Sequence, residues 1–272
     1  MNVSRSGYYD YLKSEPSTKA KQDIVLQAEI KALAALSRNS YGARQMAKNL
    51  QNKDYRVGRY RARTLMKKAD VVCKQRRRYK NTMDSKHRLP IAQNVLNREF
   101  TIALPNRAWV TDITYLWTIE GWLYIAAVLD LFSRRIVGWA MTSHMEESLV
   151  GAALDMALGR RQPEVGLLHH SDRGAQYASH DYQARLKTAG ITVSMSRKGN
   201  CWDNAVMERF WGSLKSERTE GRIYVTREEA KTDVIDYIEM FYNSVRLHST
   251  LNYLSPAQFE KQFLLNKVSV FT

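Results

Sequence analysis

The chain has 272 residues, 44% hydrophobic and 25% charged, enough for one large core and a smaller module. No apolar run reaches the roughly eighteen residues of a membrane-spanning helix, and the opening Met1–Arg5 shows no signal-like apolar stretch, so a cytosolic setting is expected. Two cysteines, Cys73 and Cys201, exclude a disulfide framework and a four-thiolate zinc site. The net charge of +15 is unevenly placed: residues 1–106 hold 23 Lys and Arg against 8 Asp and Glu, whereas residues 107–272 hold 19 of each. A basic arm on a formally neutral body points to a polyanion, and nucleic acid is the first expectation.

In chain order, apolar spacing predicts a helix over 20–37, with Ile24, Ala28, Leu33 and Leu36 among its apolar positions. A second helix is predicted over 41–50, with Met46, Ala47 and Leu50 inward. A third is predicted over 57–69, with Leu65 and Met66 inward and Arg59, Arg61, Arg63, Lys67 and Lys68 outward. Two short helices, a tight connection and a basic third helix suggest an all-α helix-turn-helix DNA-binding domain over 1–72. The competing reading is a small bundle with a solvated basic face. Residues 73–106 are polar and basic, with Arg76, Arg77 and Arg78 followed by Pro90 and Pro105, and read as a linker.

From residue 107 the pattern changes. Strands are predicted over 109–118, 122–132 and 135–142, joined by short turns into an antiparallel meander. A helix over 146–160, a strand over 165–170, a helix over 180–189, a strand over 191–196 and a long helix over 203–218 follow. This order gives an α/β fold, a mixed five-stranded sheet with flanking helices, over 107–222. A helical extension over 223–272 opens with a helix over 226–243, capped by Thr226 and Glu229. It ends in a short helix begun by Ser255-Pro256.

Three acids stand where such a sheet could gather them. Asp112 lies inside an apolar strand, a costly place for a charge unless it is paired or metal-bound. Asp172 lies just beyond the fourth strand, and ligand sites favour strand ends. Glu208 lies in the long helix, with 35 residues between it and Asp172, on one face with Trp211 and Lys215. Asp and Glu are hard oxygen ligands suited to Mg²⁺, and two-metal phosphodiester chemistry uses carboxylates converging on ions roughly 4 Å apart. Asp203 competes with Glu208, but its place at the helix start is explained by capping. For Asp130 a structural hydrogen bond is expected rather than a metal role. His169 and His170 are read equally as site-facing or packing residues. No C-x₂-C or H-x₃₋₅-H spacing occurs, so a zinc finger is not expected.

WVTDITY, HSDRGAQY and NAVMERFWGSLK, in that order and with the 35-residue gap, resemble the motifs of bacterial insertion-sequence transposases of the DDE, retroviral-integrase-like superfamily, OrfB type. The tail YNSVRLHSTLNYLSPAQF is similar to the family's tail, and YGARQMAKNL resembles its second helix-turn-helix segment; nearly the whole chain is covered. The resemblance implies an RNase H-like catalytic core and two Mg²⁺ ions, with Mn²⁺ as a substitute, bound by Asp112, Asp172 and Glu208. It implies nicking at inverted-repeat ends followed by strand transfer by the freed 3′-OH, without a covalent protein–DNA intermediate. The implied partners are double-stranded element ends and target DNA, a second copy of the chain or more on DNA, and an upstream-frame product fused in many family members. No membrane partner is implied, and the setting would be the bacterial cytoplasm, at the nucleoid.

The expected DNA contacts are Arg44, the basic residues of the third helix, Arg76, Arg77 and Arg78, then Arg197, Lys198 and Asn200 before the long helix, and finally Lys215 and Arg246. Tyr242, Asn243, Arg246 and His248 could equally knit the tail to the core, and Trp202 is read either as a stacking wedge or as a core anchor. The competing functions are an RNase H-fold nuclease that cuts without joining, and a non-catalytic DNA-binding repressor.

Overall fold

The computed structural model describes residues 4–6, 8, 9, 15, 17–74, 89–198 and 201–270. The chain divides into two compact units, residues 1–74 and 75–272.

The first unit is helical. Helix α1, Thr18–Leu36, is capped by Ser17, whose side chain accepts from the Ala20 N–H at 3.2 Å. Its buried face is Leu26, Ile30, Leu33 and Ala34, which recur at the spacing of one helical stripe. Ile24 and Leu36 are instead exposed. Helices α2, Ala43–Gln51, and α3, Arg59–Lys68, are joined by a turn in which Asp54 takes φ 65°, a conformation that Asp tolerates better than most residues. Met46, Ala47, Leu50, Ala62, Leu65 and Met66 close the core of this helix-turn-helix-like region.

The second unit is built on a mixed five-stranded sheet in the order β3-β2-β1-β4-β5. The strands are β1 Ala108–Thr118, β2 Gly121–Asp130, β3 Ile136–Thr142, β4 Leu168–Ser171 and β5 Thr192–Met195. β1, β2 and β3 form the antiparallel meander, with Asp112 opposite Ala127, while β4 and β5 add on parallel to β1. One face is covered by α4, Glu147–Arg161, and α5, His180–Thr188, over a core that includes Trp109, Val128, Leu149, Tyr182 and Leu186. Gly138 lets α4 approach closely, since a Cβ there would stand 2.2 Å from the Ala153 carbonyl oxygen.

The other face is covered by α6, Ala205–Leu214, and α7, Arg227–Ile235. The predicted continuous helix 203–218 is a 3₁₀ turn (Cys201–Asn204), then α6, then a π segment (Lys215–Thr219). A second π segment, Asp236–Tyr242, follows α7. The residues expected as a separate tail share the core under α6: Tyr224, Ala230, Val234, Tyr237, Ile238, Phe241 and Tyr242 are all buried there. Helix α8, Pro256–Val270, is longer than the short helix predicted. Its Glu260 accepts from Ser133 and Arg135, both at 2.7 Å, and pairs with Arg161, which also holds the buried Asp130 at 3.1 Å. Asp130 therefore has the structural role expected of it.

The second half of the expected linker is part of this unit. Leu96 is buried in the core, the Val95 and Leu96 N–H groups donate to Ser194 Oγ, and the Met195 N–H donates to the Gln93 carbonyl. This strap is fastened by Asp203. Its carboxylate is 1% exposed and accepts from Asn94 Nδ2 (2.8 Å), Arg98 Nε (2.9 Å) and the Arg197 N–H (2.9 Å). The capping role expected of Asp203 is thus corrected: the N-cap of α6 is Asn204, and no side chain caps that helix. The carboxylate instead meets three donors, two from the strap and one from the loop after β5.

Although burial raises the Asp203 pKa, the Arg197 N–H and the Arg98 guanidinium outweigh it and hold the group below its ordinary 3.8. A depressed carboxyl pKa contributes stability above its unfolded value and loses it as pH falls through the folded value. Asp203→Asn should therefore cost about 2 kcal/mol near pH 6, less than a fully buried pair because Arg98 is half exposed. The difference should shrink towards zero below pH 4, as read by urea midpoints of the two proteins.

Candidate active site

Asp112 sits mid-way along β1 and is half-buried, with its Oδ1 held by the Ile113 N–H at 2.9 Å. Asp172 follows β4 directly, and its Oδ1 accepts from the Gly174 N–H at 2.8 Å. A Cβ at Gly174 would stand 3.0 Å from this oxygen, so the glycine leaves the carboxylate room in the turn. Glu208 lies in the first turn of α6, on the helix packed against β1. The three expected acids thus sit on β1, at the end of the parallel β4 and in the first turn of α6.

The charges of Asp172 and Glu208 both act on Asp112. Burial, then the Asp172 charge, and more weakly the Glu208 charge, push the Asp112 carboxyl well above the usual carboxylate range. Opposing this are the Ile113 N–H and the Trp211 indole. The indole nitrogen is buried and outside strict hydrogen-bond geometry with any acceptor, so its effect is one of proximity rather than of a formed bond. Lys215, in the π segment, is lowered by its own burial and drawn back up by the Asp112 charge, and its ammonium lies 5.4 Å from the centre of the Tyr115 ring.

Among the described residues no three acidic, histidine or cysteine groups close around a single ion. The three carboxylates, two of them oriented by backbone N–H groups, are nevertheless donors suited to a hard divalent cation. His169 and His170 face elsewhere. His169 Nε2 meets the Tyr182 hydroxyl at 3.1 Å, and His170 is held by the Ser194 and Ser196 hydroxyls at 2.8 and 3.2 Å. Burial pushes both down, to about 3 and about 4, so both are neutral packing residues at neutral pH.

The expected DNA contacts fare unevenly. Arg44, Arg59, Arg63 and Lys67 are exposed on the first unit, whereas Arg61 and Lys68 close on Asp23 of α1 at 3.0 and 3.3 Å. Arg197 and Lys198 are exposed on the loop after β5, with Arg197 also reaching Asn97 at 2.6 Å. Arg76, Arg77, Arg78 and Asn200 lie outside the described residues.

Arg246 is corrected. It is half-buried, bonded to Glu217 at 2.6 to 3.1 Å and set 5.8 Å from the Tyr242 ring centre, while Glu217 also accepts from the Tyr237 hydroxyl. Its guanidinium knits the tail to the core and is withdrawn from any DNA-facing set. Trp202 is 68% exposed and is no core anchor. Sequence reasoning missed Gly174 and Asn204, whose side-chain amide reaches the Thr111 carbonyl beside Asp112 at 3.5 Å. Only the fold brings residue 204 next to residue 111.

Residues 103–201 match the integrase core domain, residues 208–264 a second integrase core domain family, and residues 20–79 an HTH-like domain. The chain is 45% identical over 261 residues to an uncharacterised 31 kDa protein of insertion element IS600 from Shigella sonnei, covering 96% of each chain. It is 38% identical over 266 residues to the transposase InsF for insertion sequence IS3A from Escherichia coli K12, covering 97% of this chain and 92% of that one. Among solved structures, a simian T-cell lymphotropic virus intasome in complex with PP2A regulatory subunit B56 gamma matches with a TM-score of 0.47 at 16% identity, over 78% of this chain and 73% of that one. With an integrase core, an HTH-like domain and near-full-length identity to insertion-sequence proteins, the chain belongs to the transposases of IS3-type insertion sequences.

Proposed function

We propose that this transposase nicks DNA at the ends of its insertion sequence and joins the freed 3′-OH to target DNA at a centre formed by Asp112, Asp172 and Glu208. The observation that carries this reading is the field at Asp112: a partly buried carboxyl raised by burial and by two neighbouring acids. Such a cluster is relieved by divalent cations. Asp112, Asp172 and Glu208 would together hold two Mg²⁺ ions, with Mn²⁺ serving in place of Mg²⁺. When bound, ions of this kind stabilise charge on the attacking and leaving oxygens of an in-line displacement.

The rest falls to the chain. The Ile113 and Gly174 N–H groups fix the two aspartates, so the donors need little reorganisation. Lys215, held beside Asp112 and Tyr115, offers a positive charge to a non-bridging phosphate oxygen. End recognition is assigned to the first unit. Arg59, Arg63 and Lys67 recur along one face of α3, with Arg44 exposed on α2. Arg61 and Lys68 would contribute only after leaving Asp23. We infer action in the cytoplasm, on the nucleoid, by two or more copies on DNA, with an upstream-frame product as a further partner.

A nuclease that cuts without joining is the second reading, and the basic helix-turn-helix-like unit favours the first. Asp172→Asn should abolish both nicking and joining of a labelled element end while leaving its binding intact; retained nicking would remove Asp172 from the centre. Neutralising Arg59 and Arg63 together should lower the slope of log K against log salt by about 1.8, two phosphate contacts at roughly 0.9 each. An unchanged slope would take α3 off the DNA.

A further inference from the structure

Buried polar side-chain atoms are almost always paired, so an unpaired one asks for an explanation. Two unpaired atoms lie beside Asp112: the Trp211 indole nitrogen, which acts on the Asp112 carboxyl, and Asn204 Oδ1, whose amide nitrogen stands 3.5 Å from the Thr111 carbonyl. The two differ in kind. An indole N–H is a donor, and a small approach to the Asp112 carboxylate satisfies it. Asn204 Oδ1 is an acceptor, and the ionised acids of this site are acceptors too.

The fold fixes where this oxygen stands. Asn204 is 5% exposed and is the N-cap of α6, yet its side chain makes no capping bond, and Glu208 follows one turn later. Thr111 is the first residue of β1 beyond its pairing with β4, which ends at Val110 and His170, two residues before Asp172. The amide therefore stands in the corner where β1 leaves β4, next to the two aspartates in sequence. Its Nδ2 faces the Thr111 carbonyl, so turning the amide over would set two oxygens against each other, and the free atom is the oxygen. The bonds of Asp203 to Asn94, Arg98 and the Arg197 N–H hold the turn from the other side. An unpaired buried acceptor is a cost that the protein alone does not relieve.

We propose that Asn204 is a positioning residue of the metal centre, its Oδ1 accepting a hydrogen bond from a water carried by a divalent ion at the three acids; the assignment rests on the metal reading above. Mg²⁺ gives up its waters reluctantly and uses few carboxylates, so it brings water into a site. Such a water is a donor in need of an acceptor. The carboxylates are taken up as ligands, and Asn204 supplies a neutral acceptor that adds nothing to the repulsion at Asp112. It orients the ion's water from the α6 side, as outer partners orient the ligands of other metal sites.

The test uses the full chain without DNA and follows bound Mn²⁺ through the loss of its free electron paramagnetic resonance signal. Sites that disappear in Asp172→Asn are those of the acids. Asn204→Leu keeps the size of the side chain and removes both amide atoms. Its Mn²⁺ affinity at those sites should fall about tenfold or more, the usual effect of losing an outer partner. Its urea midpoint in EDTA should match the wild type, because the oxygen has no partner in the metal-free protein and the nitrogen stands at the limit of hydrogen-bond distance. Asn204→Asp keeps an oxygen acceptor but gives up the amide donor, and should bind Mn²⁺ at least as tightly as the wild type. A Leu variant with wild-type Mn²⁺ affinity overturns the proposal and leaves the oxygen to an ordinary buried water. Weaker binding in the Asp variant as well overturns it by making the amide a strut to Thr111, and this arm decides alone if the Leu variant fails to fold. A wild type with no Mn²⁺ site sensitive to Asp172→Asn overturns the metal centre itself, a result distinct from a centre that binds Mn²⁺ without regard to Asn204.

Discussion

Around Asp112, burial and two neighbouring acids act in the same direction, and the surrounding architecture is arranged to sustain that repulsion. A carboxyl in such a place either takes up a proton or meets a cation. The fold holds the acids together against their mutual charge. β1 is fixed on both sides by β2 and β4, Asp172 is turned by the Gly174 backbone, and α6 is packed on the sheet through Met207, Phe210, Trp211 and Leu214. Trp211 and Lys215, one and two turns after Glu208, bring a buried indole and a half-buried ammonium beside Asp112.

This concentration of negative charge explains the division of labour along the chain. A core that is formally neutral as a whole and acidic at its centre gains little from long-range attraction to DNA. The excess positive charge lies before residue 107, partly on the exposed face of α3. Asp203 links the two parts of the argument. It ties the strap leading from the basic segment to the 3₁₀ turn that opens onto α6, five residues before Glu208.

What was legible in the sequence had local causes. The meander showed because β-branched and aromatic residues dominate 109–118 and apolar residues fill 122–132 between short turns. Asp112 stood out as a charge within that run, and Glu208 through its shared helical face with Trp211 and Lys215. What stayed hidden depends on partners far away in sequence. Leu89, Ala92, Leu96 and Phe100 pack against the core without a helical or strand period, so the strap passed for a linker. Asp203 read as a cap because two of its donors, Asn94 and Arg98, lie over a hundred residues earlier. Arg246 read as a DNA contact because nothing near it reveals Glu217 beneath. On α1 the apolar residues outnumber the buried ones, and only packing shows that Ile24 and Leu36 face outward.

The central claim is that the three carboxylates form a divalent-metal centre that joins DNA strands as well as cutting them. Incubating the full chain with a labelled insertion-sequence end and a target plasmid, with Mg²⁺ or with EDTA, tests it most directly. The account predicts joined products, longer than the input end, that appear with Mg²⁺ and vanish with EDTA. Cutting without joined product, or joining that survives EDTA, would contradict it.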